Sequence, residues 1–283
     1  MILRFGFLMA FVIGACGLAL PSRAADEAQV ITLDRTDGAT TRVRISGSNS
    51  RCPPTVVFSH GLGGGIGGNS VLISKLAEMG WRVMAIEHVE SGPAALAGLK
   101  NAAVPGEYFR ARAGDPHRHQ ARFADLDATF AEATRSCRPP QLLLIGHSMG
   151  ATTTMIEAGA KARFGGMGSD RFDAYVALSP RGAGMLFAPD AWADVKKPML
   201  MVTGPKDGSV EGDWTTRLSA FEGLPSGHKR LAIVPDADHM DMGGYTEPAG
   251  SKITTLITEF ARAVVIERRL LESGVAGVQI RDK

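Results

Sequence analysis

Apolar residues along the chain form short runs that are separated by amphipathic and glycine-containing stretches. Two early segments, 29–35 and 40–46, alternate between apolar and polar positions and flank a turn that contains Asp37-Gly38. This pattern predicts an antiparallel hairpin. Later runs are continuously apolar and β-branched, as is typical of strands that helices cover on both faces. These runs are 55–60, 82–88, 142–148, 174–180, 199–204 and 230–235.

Helical patterns fall between the apolar runs, and a polar stretch covers residues 89–116. The helical segments predicted by these patterns are 69–79, 117–135, 149–163, 211–221 and 250–272. Alternation of strands and helices over this length predicts a mostly parallel, doubly wound α/β sheet. We count eight strands in this sheet, of which the first pair is antiparallel.

The amino-terminal segment differs from the rest of the chain. A short positive start precedes a run that is apolar from Phe5 to Leu20, and Ser22-Arg23-Ala24 has the small-x-small pattern that signal peptidase cuts. The run is short for a membrane span. We therefore interpret residues 1–24 as a signal peptide and residues 25–283 as one exported domain, periplasmic or secreted. The sequence before Cys16 also resembles a lipoprotein box, so a lipid-anchored protein is the alternative.

Composition and charge exclude several classes of function. Without the signal peptide the count of Lys and Arg falls from 31 to 29 and equals the 29 Asp and Glu, so the mature domain has nothing that attracts nucleic acid. We expect no stable membrane span after processing. A metal site is not expected either, because His117 and His119 have a spacing that points their rings to different faces of a helix.

A glycine-rich loop, HGLGGGIGG, ends the 55–60 run. Its glycines match G-x-G-x-x-G when read from Gly63, and Glu87 lies about 20 residues later, where a dinucleotide-binding unit places a carboxylate. Read from Gly63, however, the pattern starts too far from the strand. Read from Gly61, its third glycine position holds Ile66. A pyrophosphate site therefore explains the loop poorly.

The segment Gly146-His147-Ser148-Met149-Gly150 matches G-x-S-x-G between an apolar strand and a helix. This context is typical of a nucleophile elbow, a turn so tight that side chains at the two glycines would collide with backbone. Ser148 then projects above the carboxyl edge of the sheet, at a helix amino end that favours developing negative charge.

With these motifs the chain resembles the α/β-hydrolase superfamily, in particular dienelactone-hydrolase-like and platelet-activating-factor-acetylhydrolase-like esterases. The matching stretches are VVFSHGLGG, AIEH, GHSMGA, ALSPRG, PMLMVTGPKDGSV and PDADHMDM. The resemblance covers nearly all of the chain after residue 28. It implies an α/β-hydrolase fold without a large cap domain and a serine hydrolase that needs no cofactor.

A serine nucleophile needs an adjacent base that a carboxylate orients, and this superfamily has the chain order Ser, Asp or Glu, then His. His239 follows the last predicted strand, whereas His228 precedes it and would lie at the wrong edge. Asp207 follows the 199–204 strand at the position where the family's acid usually lies. The rival carboxylates are Asp213, Asp236 and Asp238.

The resemblance also gives the glycine loop a function. The superfamily has His-Gly-x-Gly after its third strand, and His60-Gly61-Leu62-Gly63 fits, so the amides of Leu62 and Met149 are the expected oxyanion donors. Glu87 and His88 are expected to hold this loop by hydrogen bonds. The candidate pocket residues are His60, Gly61, His147, Met185, Phe187 and Trp192, among which His60 and His147 are expected to be structural.

In this fold the 55–60 and 142–148 strands are parallel neighbours, which brings Cys52 and Cys137 side by side at the amino edge of the sheet. A disulfide between them is the expectation, since exported proteins meet oxidising conditions.

The sequence therefore predicts a serine carboxylic-ester hydrolase that acts on a small-molecule or polymeric ester. An amidase, peptidase or thioesterase of the same fold and a non-catalytic binding protein are the alternatives.

Overall fold

The computed structural model describes residues 28–165, 168–243, 246–266 and 274–283. The predicted signal peptide of residues 1–24 and the lipoprotein alternative at Cys16 lie outside the described residues. The same holds for the end of the predicted closing helix, from residue 267 onward.

Within these ranges, nine strands form one sheet in the order β1-β2-β4-β3-β5-β6-β7-β8-β9. Strands β3 to β8 run parallel to one another, while β1, β2 and β9 are antiparallel to their neighbours. The strands are β1 Gln29–Asp34, β2 Thr40–Gly47, β3 Thr55–Ser59, β4 Arg82–Glu87, β5 Leu142–His147, β6 Ala174–Leu178, β7 Met199–Thr203, β8 Lys229–Ile233 and β9 Gln279–Asp282. All positions of β3, β5, β6, β7 and β8 are buried, as expected for strands covered on both faces.

The prediction of a mostly parallel sheet is confirmed, but the predicted count of eight strands is wrong by one. The additional strand, β9, pairs antiparallel with β8 at the edge of the sheet. Its four residues are mostly exposed, so the continuous apolar pattern that marks the central strands is absent from it.

The described residues form six α-helices: α1 Ser70–Glu78, α2 Pro105–Ala113, α3 Pro116–Thr134, α4 Met149–Glu157, α5 Leu218–Glu222 and α6 Ala249–Phe260. Apolar side chains of α1 and α6 pack on one face of the sheet, and those of α3, α4 and α5 pack on the other. The start of α3 is fixed by Asp115, whose side chain accepts a hydrogen bond from the His117 N–H at 3.0 Å. None of the helices in the described ranges is both long and apolar enough to span a bilayer.

Two predicted helical boundaries and one predicted polar stretch differ from the structure. Helix α4 ends at Glu157, because Gly159 has φ +114° and approaches the carbonyl of Asp194 closely. The 211–221 segment becomes helical only from Trp214, after Gly212 with φ +145°. The predicted polar stretch 89–116 contains α2 and three 3-10 turns.

The predicted disulfide between Cys52 and Cys137 is present, with the two Cα atoms 6.1 Å apart. Thr55 and Leu142 face each other in the parallel β3–β5 register, so both cysteines precede their strands at the amino edge of the sheet. Ser148 follows β5 at the opposite, carboxyl edge. The bond therefore joins two chain segments that take no part in the candidate active site.

Replacing both cysteines by serine is expected to lower the free energy of unfolding by about 3–5 kcal/mol, because the bond restricts a long loop in the unfolded chain. The loop spans a sequence separation of 85 residues. Urea unfolding of the oxidised protein and of the Cys52→Ser/Cys137→Ser variant measures this difference. Equal unfolding midpoints would contradict the prediction.

Candidate active site

Ser148 lies in the turn between β5 and α4, with φ +56° and ψ −114°. Residues other than glycine rarely adopt this backbone conformation. A Cβ atom at Gly146 would lie 2.1 Å from the carbonyl oxygen of Gly150, and one at Gly150 would lie 1.9 Å from the carbonyl oxygen of Ser59. Because only glycine fits these two places, the G-x-S-x-G pattern is a requirement of the turn.

His239 and Asp207 come from the loops after β8 and β7 and meet Ser148 at the carboxyl edge. His239 Nε2 lies 3.0 Å from Ser148 Oγ, and His239 Nδ1 lies 2.8 Å from Asp207 Oδ1. A carboxylate only accepts hydrogen bonds, so the proton of the neutral ring is on Nδ1 and Nε2 is free to accept from the serine hydroxyl. This is the arrangement in which an imidazole can remove a proton from Ser148.

The carboxylate of Asp207 is completely buried, and Arg217 neutralises it. Arg217 Nη2 lies 2.9 Å from Asp207 Oδ1, and the Thr203 hydroxyl donates to Oδ2 at 2.9 Å. The guanidinium also donates to backbone carbonyls at the end of β6 and in the Asp207 loop, namely those of Ser179, Pro180, Asp207 and Gly208. Arg217 therefore ties together the two loops that carry the acid and line the site.

Burial lowers the pKa of Arg217, while the negative charge of Asp207 acts in the opposite direction. A buried ion pair of this kind contributes geometry more than net stability, and losing either partner leaves an unpaired charge inside the protein. Sequence reasoning missed Arg217. It lies ten positions after Asp207 in a 3-10 turn, Trp214–Arg217, and no motif marks it.

The rival residues for the acid and the base form other hydrogen bonds, are exposed, or lie at the other edge of the sheet. Asp213 and Asp238 each accept hydrogen bonds from the backbone N–H two positions ahead, at 2.8 and 2.7 Å. The side chain of Asp236 is 85% exposed. His228 directly precedes β8, at the amino edge of the sheet. Within the described part of the chain, only Asp207 among the four candidate acids contacts the ring of the candidate base.

His147, next to the candidate nucleophile, supports the loop of the candidate base. Its Nε2–H donates to the carbonyl oxygen of His239 at 3.0 Å, and the two ring centroids are 5.0 Å apart. Burial, together with the neighbouring His239, lowers the pKa of His147 to about 3. The neutral ring is therefore a fixed donor to the backbone of residue 239.

The two predicted oxyanion donors lie on segments that meet at Ser148. Met149 is the first residue of α4. A Cβ atom at Gly61 would lie 3.1 Å from the Cβ of Ser148, so the peptide bond from Gly61 to Leu62 passes beside the nucleophile. Among the residues that the structure describes, no protein acceptor receives the N–H of Leu62 or of Met149. Both groups are thus available to a ligand.

A cavity of about 480 Å³ opens beside Ser148 and His239. Apolar side chains form one part of its wall, namely Leu99, Pro105, Phe109 and Val210. Polar groups form another part, where Arg181 Nη1 lies 3.1 Å from Glu211 Oε2. A larger cavity of about 510 Å³ lies at the amino edge beside Cys137 and contains none of the candidate catalytic residues.

None of the six predicted pocket residues is among the residues that line the cavity beside Ser148, and three of them belong to the hydrophobic core or its edge. Phe187 and Trp192 are fully buried in the hydrophobic core, with ring centroids 5.1 Å apart. Met185 packs against the same core from its edge. The cavity wall comes instead from the 89–116 segment and from the loops after β6 and β7. Apolar residues in a connecting loop can belong to the hydrophobic core or to a pocket wall. The sequence pattern does not distinguish these two locations.

Solved structures with a similar architecture include several hydrolases, one of which is described as an α/β serine hydrolase. A dienelactone hydrolase from Anabaena variabilis has a TM-score of 0.52 and 18% identity, with 83% of this chain and 96% of that chain covered. A serine hydrolase without a lid from Xanthomonas campestris has a TM-score of 0.56 and 18% identity, with 85% and 96% covered. The chain thus has the mostly parallel α/β-hydrolase fold.

An acylaminoacyl peptidase from Pyrococcus horikoshii is also similar, with a TM-score of 0.61 and 14% identity. The match covers 90% of this chain but only 43% of that chain. No protein-family model and no curated protein matches the sequence. These similarities are at low sequence identity, so they establish the α/β-hydrolase fold and leave the reaction and the substrate to the residues of the site.

Proposed function

We propose that the protein hydrolyses carboxylic esters through an acyl-enzyme on Ser148. One observation carries the proposal: Ser148 Oγ, on a strained turn, lies 3.0 Å from His239 Nε2, whose other nitrogen lies 2.8 Å from the buried Asp207. These hydrogen-bond distances support the roles of nucleophile, base and orienting carboxylate for Ser148, His239 and Asp207.

In the first half-reaction Ser148 Oγ attacks the ester carbonyl carbon while His239 Nε2 takes the hydroxyl proton. The carbonyl oxygen becomes an oxyanion that the N–H groups of Leu62 and Met149 stabilise. As the intermediate collapses, the C–O bond to the alcohol breaks. His239 returns its proton to the leaving alkoxide, and the acyl group stays on Ser148.

In the second half-reaction a water molecule attacks the acyl carbon, and His239 accepts a proton from that water. Collapse of this intermediate breaks the bond to Ser148 Oγ and regenerates the serine hydroxyl with the same proton. Asp207 stabilises the imidazolium that forms in both halves. Arg217 opposes this effect electrostatically, so its contribution is to hold the carboxylate in one orientation.

The lining of the cavity supports a substrate that is an ester with an apolar acyl or alcohol group. Its apolar wall, which includes Phe109 and Val210, lies beside the nucleophile. The connection between β6 and β7 contains no helix, so no cap domain arises there and a small or a polymeric ester could approach. The disulfide of Cys52 and Cys137 supports export to an oxidising compartment, in line with the proposed signal peptide of residues 1–24.

The mature protein is expected to hydrolyse p-nitrophenyl acetate with a much larger kcat/KM than p-nitroacetanilide. An amide leaving group is harder to expel, and none of the groups in the described site is aimed specifically at it. The two assays share an acyl group and differ only in the leaving atom. A preference for the anilide would favour the amidase or peptidase alternative. Hydrolysis of neither compound, with no labelling of Ser148 by a fluorophosphonate, would favour a binding protein.

A further inference from the structure

A cluster of buried polar side chains lies behind the loop that carries Leu62, and the proposed reaction does not use it. We call this the buried cluster; its members are Ser59, His88, Arg122 and Asp125, each of which is fully buried. The cluster touches the ring of His60, which is 2% exposed. Polar side chains of these kinds are rarely buried unless hydrogen bonds or ion pairs compensate for their desolvation.

The buried cluster has the connectivity of a second Ser-His-Asp set. His88 Nδ1 lies 2.8 Å from Asp125 Oδ2, and His88 Nε2 lies 2.9 Å from Ser59 Oγ. Ser59 is not a second nucleophile, however, because its oxygen has no exposure and accepts a hydrogen bond from Arg122 at 2.9 Å. The cluster must therefore act through its neighbours.

The ring of His60 joins the buried cluster to the oxyanion loop. His60 Nε2 accepts a hydrogen bond from the backbone N–H of His88 at 3.0 Å, and His60 Nδ1 lies 2.7 Å from the carbonyl oxygen of Gly61. A neutral imidazole has one donor and one acceptor nitrogen. Since Nε2 accepts, Nδ1 carries the proton and donates it to the Gly61 carbonyl.

That carbonyl belongs to the same peptide bond as the N–H of Leu62. In a planar trans peptide the C=O and the N–H point in opposite directions. A hydrogen bond that fixes the Gly61 oxygen on the side of His60 thereby turns the Leu62 N–H to the opposite side. The N–H of Gly64 also donates to this oxygen, at 3.0 Å, so His60 supplies one of two restraints.

Arg122 holds the other end of the same loop segment. Its guanidinium donates to the carbonyl oxygen of His60, to Ser91 Oγ at 2.6 Å and to Thr153 Oγ1 at 3.0 Å. Thr153 lies on α4, the helix that begins after the nucleophile. Arg122 therefore ties the oxyanion loop to the helix whose first amide is the other donor.

From these contacts we propose that His60 is a positioning residue that aims the Leu62 amide at the oxyanion, and that the buried cluster keeps its ring in place. This inference rests on the proposed ester hydrolysis at Ser148. His60 contacts no reacting atom in this scheme and acts only through the peptide bond from Gly61 to Leu62.

Burial supports the required protonation state. It lowers the pKa of His60 well below the ordinary value, and charge on His88 and Arg122 lowers it further. The neutral ring can then accept from the His88 N–H, which an imidazolium could not do.

The test compares p-nitrophenyl acetate with its thionoester, in which sulfur replaces the carbonyl oxygen and accepts hydrogen bonds poorly. Loss of one oxyanion donor lowers kcat by about 10²–10³. The hydrogen bond from the Gly64 N–H to the Gly61 oxygen remains in His60→Ala. We therefore expect this variant to lower kcat for the oxygen ester by about 10–10²-fold, with KM little changed. The thionoester should lose much less, so the preference for oxygen over sulfur shrinks.

Two variants separate positioning from a general loss of structure. His60→Asn keeps a donor nitrogen at the place of Nδ1 and should recover most of kcat and of the oxygen preference. His119→Ala removes another buried histidine, whose ring donates to the carbonyl oxygen of Ala113 at 3.1 Å. It should lower Tm but keep the wild-type ratio. Equal losses on both esters in His60→Ala, or no rescue by asparagine, would overturn the proposal.

The rate at which a fluorophosphonate labels Ser148 separates failure of this proposal from failure of the proposed function. The phosphoryl oxygen of the probe enters the same pair of amides, whatever the natural substrate is. If the wild type labels but hydrolyses neither ester, ester hydrolysis is wrong, and the labelling rate of His60→Ala alone decides the positioning role. A slower rate supports the role, whereas an unchanged rate, or a wild type that does not label, overturns it.

Discussion

Ser148→Ala is expected to lower kcat for p-nitrophenyl acetate by about 10⁵–10⁶-fold, because no other group can form the acyl-enzyme. The neighbouring hydroxyl of Ser179 is buried and is not hydrogen-bonded to His239 in the described structure. The residual rate should be close to that of a site that only binds the ester and polarises its carbonyl. Steady-state kinetics at saturating substrate, with an active-site titration of the wild type, measures the loss.

This substitution should leave the fold intact. Alanine and serine meet the same strain at φ +56°, and the hydroxyl is lost from a site that is open to the cavity. The matched control is Ser251→Ala, at an exposed position of α6, which should retain full activity. Wild-type turnover in Ser148→Ala of unchanged Tm would mean that another residue performs the chemistry.

Asp207→Asn is expected to lower kcat by about 10⁴-fold, because an amide side chain can donate to His239 Nδ1 and hold the wrong tautomer of the ring. The same change leaves Arg217 buried without its counter-charge, which costs about 3–5 kcal/mol of stability when one partner of a buried pair is removed. Kinetics and urea unfolding should therefore change together. The assay has to be run well below the lowered Tm, so that the loss of kcat refers to folded enzyme.

Asp213→Asn is the matched control for this prediction. Asp213 lies in the same segment, is exposed and accepts from the Thr215 N–H, a role that asparagine can also perform. We expect near-wild-type kcat and Tm for it. If Asp207→Asn retained kcat while Asp213→Asn lost it, the assignment of the orienting acid would be wrong.

The fold could be predicted from local patterns, and the meeting of the three candidate catalytic residues followed from the chain order of the superfamily that the sequence resembles. The two glycines of the elbow are dictated by backbone clearance around Ser148, which is encoded within five residues. Asp207 and His239 each follow a buried strand, and parallel strands bring their carboxyl ends to one edge. The choice of Asp207 and His239 among several acids and histidines rested on the resemblance to the superfamily.

Other features depend on contacts that leave no local signature. Arg217 becomes important only because its 3-10 turn lies against the Asp207 loop. Phe187 and Trp192 were predicted in the pocket, yet their burial depends on how a long connection packs. The edge strand β9 has too few apolar positions to be distinguished from a loop. In each case tertiary packing selects among structures that the local pattern allows.

The most direct test of the central claim is to trap the acyl-enzyme itself. Wild-type protein mixed with p-nitrophenyl acetate and quenched in acid within the first turnovers should carry an acetyl group on the peptide that contains Ser148. His239→Ala should show almost none, because the serine is no longer activated. An acetyl group found only on another residue, or product formed with no acylated protein at any time, would contradict the account.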